Sequence, residues 1–325
     1  PTPPPFPFLE FLTPFSPFFP LPPLQLLIPH MRFTVHIATL ARKFLLNPGG
    51  VFDSAVALGR RGLLQLVARG LRSLSYSSLV VPRDLRRRGV TRTPGYHYAR
   101  DALRIWRAIH SYVRGVLGLY YPGDSAVRGD PELQAWVGEI FRKGFLGRRR
   151  SGDPHVTPTP RPLPFDPPVT FDPSQASPSS LTSLPEAAIF VTMVIYSCSA
   201  LHAATNSGQF ELGAFIPNMP AAMREPPPET KEPLGEEDFL RALPAMNTSA
   251  ITLGVLWVLR NEPFDMRALG CYPENHFTEE APRALIRRFR RRLAAISRSI
   301  QRRNQGLALP YPYLDPRNIE NSVAI

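Results

Sequence analysis

Cysteine is nearly missing from this chain: Cys198 and Cys271 are the only two among 325 residues. Two thiols exclude a disulfide framework and make a reducing, cytoplasmic compartment the expectation. Also missing are H-E-x-x-H, paired Cys/His zinc spacings, a Walker loop and G-x-S-x-G. With them go the zinc-protease, zinc-finger, P-loop and serine-hydrolase readings. Gly49-Gly50 and Arg60-Arg61-Gly62 lack phosphate-binding spacing. The chain does not open on a basic stretch followed by a helical apolar run, so no secretory leader is expected. Strand signals are few, and no segment repeats.

Proline, by contrast, is abundant. There are 39, well above the usual share of about 5%, and they cluster. Residues 1–23 alternate Pro with Phe and Leu. Residues 152–178 run from Asp153-Pro154 through Pro167-Pro168 to Ser177-Pro178. Proline fixes φ and has no amide hydrogen to give, so both stretches are expected as extended, solvated chain. They bound a folded portion, 24–325, interrupted at 152–178. A hydrophobic fraction of 43% is enough for a sizeable core there.

The net charge is +12, which raises nucleic acid or an anionic membrane as partners. Much of the excess sits in arginine clusters: Arg86 to Arg88, Arg148 to Arg150, and Arg283 to Arg303. In the last cluster Ile286, Phe289, Leu293, Ile296 and Ile300 recur at helical spacing, so the arginines read as the solvated face of an amphipathic helix. Thr278, Glu279 and Glu280 suit its start and Gly306 its end. No nucleic-acid module or interleaved aromatic pattern accompanies the charge, and nucleic acid is not expected as a partner.

Helical periodicity recurs elsewhere and makes the fold class mainly α. Asp101 is read as opening a helix carrying Ala102, Trp106, Ile109, Val113 and Val116. Asp130-Pro131-Glu132 is a start signal, a capping carboxylate followed by proline in the first turn. Further helices fit Met31 to Leu46, Pro185 to Asn206, Phe239 to Leu243, Ala250 to Arg260 and Ala281 to Arg303. From Ala187 to Phe210 no charged residue occurs, a length able to cross a bilayer. Thr192, Ser197, Ser199, His202, Thr205 and Asn206 make a helix buried in a protein core the better reading. Within it His202 and Asn206 stand four apart and share a face. On spacing alone they fit either a shared metal ion or a buried histidine hydrogen-bonded to its neighbour.

A resemblance narrows this. The stretch Cys198-Ser199-Ala200-Leu201-His202-Ala203-Ala204-Thr205-Asn206-Ser207-Gly208-Gln209 closely resembles the iron-binding helix of animal lipoxygenases. So do Pro217-Asn218-Met219-Pro220, Met223 to Lys231, and the ending Tyr313-Leu314-Asp315-Pro316 … Ile319-Glu320-Asn321-Ser322-Val323-Ala324-Ile325. Ile28 to Thr34, Asp130 to Trp136 and His276 to Arg283 match in the same order. Within that family the chain looks most like the epidermal and second 15-lipoxygenase types.

The resemblance implies a partial lipoxygenase catalytic domain and one non-heme iron as cofactor. The ligands it implies are His202, Asn206 as the weak one, and the terminal carboxylate of Ile325. It implies polyunsaturated fatty acid, of arachidonate or linoleate type, and O2 as substrates, hydroperoxides as products, and possible peripheral contact with a membrane. No side chain is implied as catalytic acid or base, that work falling to a metal-bound hydroxide. Ala41 matches the position where alanine goes with S products, and Leu45 the leucine packed beside the reacting carbons. Two more family histidines, five residues apart upstream of Ile28, have no counterpart here, nor does the amino-terminal β-sandwich. Incomplete iron ligation and little or no dioxygenase activity of this chain are therefore expected, with a non-catalytic lipid- or partner-binding fragment as the alternative.

Overall fold

The last long helix shows most directly how sequence pattern becomes packing. In the computed structural model, which describes residues 22–144, 178–260, 266–273 and 277–323, a helix spans Glu280–Asn304. Ile286, Phe289, Leu293, Ile296 and Ile300 are all buried along its inner face, as the spacing predicts. Each such side chain contributes roughly 1.5–3 kcal/mol by leaving water. The residues up to 21, positions 145–177 and Ile325 lie outside the described residues.

In chain order the elements that matter are α1 (Pro22–Met31), α2 (Thr34–Ala41), α3 (Gly59–Ser73), α4 (Val81–Arg87) and α5 (His97–Tyr120). They are followed by α6 (Pro131–Glu139), α7 (Leu184–Tyr196), α8 (His202–Asn206), α9 (Gln209–Gly213), α10 (Met246–Arg260) and α11 (Glu280–Asn304). Among the described residues there is one isolated bridge, Ala268 with Glu320, and no longer strand. α5 is the hub, with α7 on one side and α11 on another. Its Ala102, Ile105, Ile109, Val113 and Val116 are buried in the core that these helices share.

Local signals fare well where the partner is nearby. Asp130 caps α6, accepting from the N–H groups of Glu132 (3.1 Å) and Leu133 (2.9 Å), with Pro131 in the first turn. Pro22 and Pro23 sit in the first turn of α1 although residues 1–23 are expected to be extended. Proline is tolerated there because those N–H groups have no helical acceptor.

Two expectations need correction. Asp101 does not open its helix: α5 begins four residues earlier, and Asp101 is fully buried inside it, ion-paired with Arg303 of α11. The predicted helix from Met31 to Leu46 is instead broken at Arg32 and Phe33, then resumes as α2 and ends in a π-helical turn, Arg42–Leu46. The break is held from far away. Phe33 N (3.1 Å) and Thr34 N (3.3 Å) both donate to Ser322 Oγ, which does the work of an N-cap from the other end of the chain.

α7 continues without interruption through the π turn Ser197–Leu201 into α8. The helical run Leu184–Gly213 is long and apolar enough to cross a membrane, yet 78% of its most apolar window is buried inside the protein. Two of its buried hydroxyls bond to its own backbone, Thr192 Oγ1 donating to Ala188 O and Ser199 Oγ to Ile195 O, each at 2.6 Å, whereas the buried Ser197 Oγ has no such partner. Such back-bonding lets Thr192 and Ser199 sit in an apolar core with their hydroxyls paired.

Candidate metal centre

The π turn decides where the site residues face. It carries one residue more than an α-helical turn, which rotates every later side chain by about 100°. His202 and Asn206 follow it immediately. Asn206 Nδ2 donates to His202 Nε2 across 2.6 Å, and Asn206 Oδ1 accepts from Gln209 Nε2 at 3.3 Å. An amide turned over about its last bond would present oxygen at the same place.

Both side chains line a cavity of about 230 Å³, together with Glu211, Arg260, Tyr313 and Glu320. Tyr313 lies against Gly208, where an added Cβ would meet the phenol ring at 2.8 Å. Burial raises the Tyr313 pKa above its usual value, and the charge of Glu211 adds to the shift, so the cavity wall there is a neutral phenol.

The chain's C-terminal tail is fixed beside this cavity by a buried polar network. His30 is fully buried; its Nδ1 donates to Asn321 O at 2.8 Å, and its Nε2 is 3.1 Å from Tyr272 Oη. Burial pulls the His30 pKa down from 6.5 to about 4, against the opposing pull of its bond to the Asn321 carbonyl. Thr34 Oγ1 accepts from Val323 N at 3.2 Å and is 3.0 Å from Ser322 Oγ. Asn321 Oδ1 accepts from Gly270 N at 2.9 Å, while Leu269 N donates to Ile319 O at 2.7 Å. The tail is thereby tied to α1, α2 and the 267–272 loop as far as Val323.

Of the residues named from sequence, the structure brings His202 and Asn206 together. Ile325 lies outside the described residues. Ala41 ends α2 and Leu45 lies in the π turn after it; both are half-buried, and neither lines the cavity. Thr34 of α2 does reach the π turn between α7 and α8, through a hydrogen bond to the buried thiol of Cys198, whose pKa burial pushes up to about 12. The roles of His30, Tyr313 and Glu320 were not legible beforehand, because each depends on partners remote in sequence.

Among the described residues no group of three or more His, Cys, Asp or Glu is placed to hold a metal ion. An imidazole and an amide side by side on a polar wall nevertheless suit a first-row transition metal better than a hard, all-oxygen cation. The residues present therefore fit part of such a site.

The sequence profile of the lipoxygenase family matches residues 15–153 and 174–310. Over 304 residues, or 94% of this chain, it is 48% identical to human hydroperoxide isomerase ALOXE3 and covers 39% of that protein. Human polyunsaturated fatty acid lipoxygenase ALOX15B is 47% identical over the same share, with 41% of its length covered. Among solved structures, a lipoxygenase deletion variant in complex with arachidonate superposes with a TM-score of 0.82 at 29% identity, over 94% of this chain and 42% of that one. The chain thus spans about two fifths of the length of these relatives. Profile, relatives and superposition agree with the helical architecture and with the helix that carries His202 and Asn206: this chain belongs to the lipoxygenase family and folds as part of its catalytic domain.

Proposed function

We propose that this chain supplies part of the iron centre of a fatty-acid dioxygenase. One observation carries the reading: His202 and Asn206 meet one turn apart on the wall of a cavity, within the family match. His202 would bind the metal through Nε2, Asn206 through its amide oxygen and Ile325 through the terminal carboxylate. Bound iron supplies the one-electron chemistry that oxygenates a cis,cis-pentadiene. The protein's own contribution is position. The π turn aims His202 and Asn206, and the His30–Asn321 and Thr34–Ser322 contacts hold the tail. On this reading, the Ala41 methyl directs oxygen to give S hydroperoxides, and Leu45 packs against the reacting carbons. A relative named for polyunsaturated fatty acids and a relative crystallised with arachidonate support that substrate class. A cytoplasmic location with peripheral membrane contact is part of the same proposal.

These 325 residues alone should hold iron weakly and oxygenate little. Of the described histidines only His202 lines the cavity; His30 is committed to the tail, and His36 is exposed. Loss of an outer partner alone costs a metal site about 10–100-fold, and missing imidazoles cost more. That observation favours, as a second reading for the isolated chain, a lipoxygenase-like fragment that binds lipid or a partner without turnover.

The test compares this chain with one extended by its relatives' upstream histidine helix, measuring iron content and conjugated-diene absorbance with arachidonate. A fatty-acid hydroperoxide serves as a second substrate, since one relative is a hydroperoxide isomerase. Iron and S-configured product in the extended chain, both lost on His202→Ala, are expected. Stoichiometric iron and turnover in the unextended chain would overturn the inactivity, and R product would overturn the role of Ala41.

A further inference from the structure

We propose that the arginine face shared by α5 and α11 is a docking surface for an anionic phospholipid bilayer. The two helices lie antiparallel. Arg303 pairs with Asp101, Arg104 donates to Ser299 at 2.9 Å, and a Cβ on Gly115 would meet Leu285 at 2.9 Å. With their apolar sides turned to the core, their outer sides form one surface. At 1.5 Å per residue, helices of 24 and 25 residues make that surface roughly 36 Å long.

Arginine dominates it. Arg100, Arg107 and Arg114 on α5, and Arg288, Arg291, Arg292, Arg298 and Arg302 on α11, are all exposed. Acid is almost missing: Asp101 is the one carboxylate on α5 and is buried, and α11 has none after Glu280 in its first turn. Read alone, the arginines of α11 are the solvated side of an amphipathic helix. The structure adds the second row from α5, and two adjacent rows of one sign with no interleaved acid make a single positive field.

The shape favours a bilayer over nucleic acid. Among the described residues the two helices of this face lie packed side by side, and neither stands alone to enter a groove. The aromatic residues of the pair are buried or partly buried, so none stands exposed among the arginines to stack a base. A sheet of lipid phosphates asks only for a broad basic face. Choosing lipid over other polyanions rests on the fatty-acid reading above, because the substrate of such an enzyme is an amphiphile that partitions into membranes.

The test is co-sedimentation of the whole chain with vesicles of phosphatidylserine and phosphatidylcholine, with no polyunsaturated fatty acid present, so that binding is scored independently of oxygenation. Each basic residue near such a surface is worth about fivefold in affinity. R288Q/R291Q/R292Q should therefore bind about 100-fold more weakly, and the three lysine replacements should restore binding. R61Q/R69Q/R92Q, which removes the same charge elsewhere, should change affinity by less than about threefold. Circular dichroism checks that each variant keeps its helix. Equal losses in the two triple variants, equal binding to pure phosphatidylcholine, or equally tight binding of duplex DNA at matched phosphate would each overturn the proposal.

Discussion

Removing the Asp101 carboxylate should destabilise the protein through Arg303, and the structure sets the size of the effect. Asp101 is fully buried, while the Arg303 side chain keeps 12% of its exposure. Breaking a buried ion pair typically costs about 3–5 kcal/mol, because one charge is left unpaired. In Asp101→Ala the stranded guanidinium still donates to Tyr311 O at 2.8 Å and Asn304 Oδ1 at 2.9 Å. The loss should therefore lie near the lower end, about 3 kcal/mol, or a fall in Tm of about 5 °C for a chain of this size. Arg303→Met should cost as much, since it strands the carboxylate. The double variant should recover part of the loss, because two apolar side chains can replace a buried pair at little cost. Burial raises the Asp101 pKa despite the arginine beside it. The folded state thus holds that proton above the pH at which the unfolded chain releases it, and this site's contribution to stability falls as pH rises through the window between the two pKa values. Urea and thermal melts of all four proteins, at pH values within and above that window, read both effects. Additive losses in the double variant, or an Asp101→Ala Tm within about 1 °C of the parent, would refute the reasoning.

Two further outcomes follow from the cavity and the tail. His30 titrates near 4 when folded against 6.5 when free, so the unfolded chain binds more protons between these values and stability falls as pH drops from 6.5 to 4. The total is about 3 kcal/mol; His30→Asn should flatten that limb in acid denaturation, and an unchanged limb would refute the assignment. Gly208→Ala should force the Tyr313 ring from its seat at a cost of about 1–3 kcal/mol, visible as a lower Tm and altered tyrosine fluorescence, whereas an unchanged melt would show that the ring yields freely.

The legible part of this fold is the part made by neighbours in sequence. The stripe on α11, the Asp130-Pro131 start of α6 and the uncharged α7–α8 run are all set by residues within a few turns, and the structure follows them. His202 and Asn206 were legible for the same reason, since a separation of four places both on one helix face. The corrections lie where the partner is remote. Asp101 resembles a helix opener until Arg303, 202 residues on, is packed against it. The break at Phe33 has no local cause, because its acceptor is Ser322. The π turns escape periodicity as well, since one extra residue per turn shifts the pattern without interrupting it.

The cap that Ser322 gives to α2 also bears on how the protein is made. Thr34 leaves the ribosome 288 residues before its acceptor does, an interval of about 15–60 s at about 5–20 residues per second. Throughout that time the start of α2 lacks its acceptor and His30 lacks the carbonyl of Asn321. The nascent stretch around α1 and α2 therefore waits in an unfinished state, a natural client for chaperones, until Asn321 and Ser322 have been made. A stop codon before Asn321 would remove the last piece of α1 and α2.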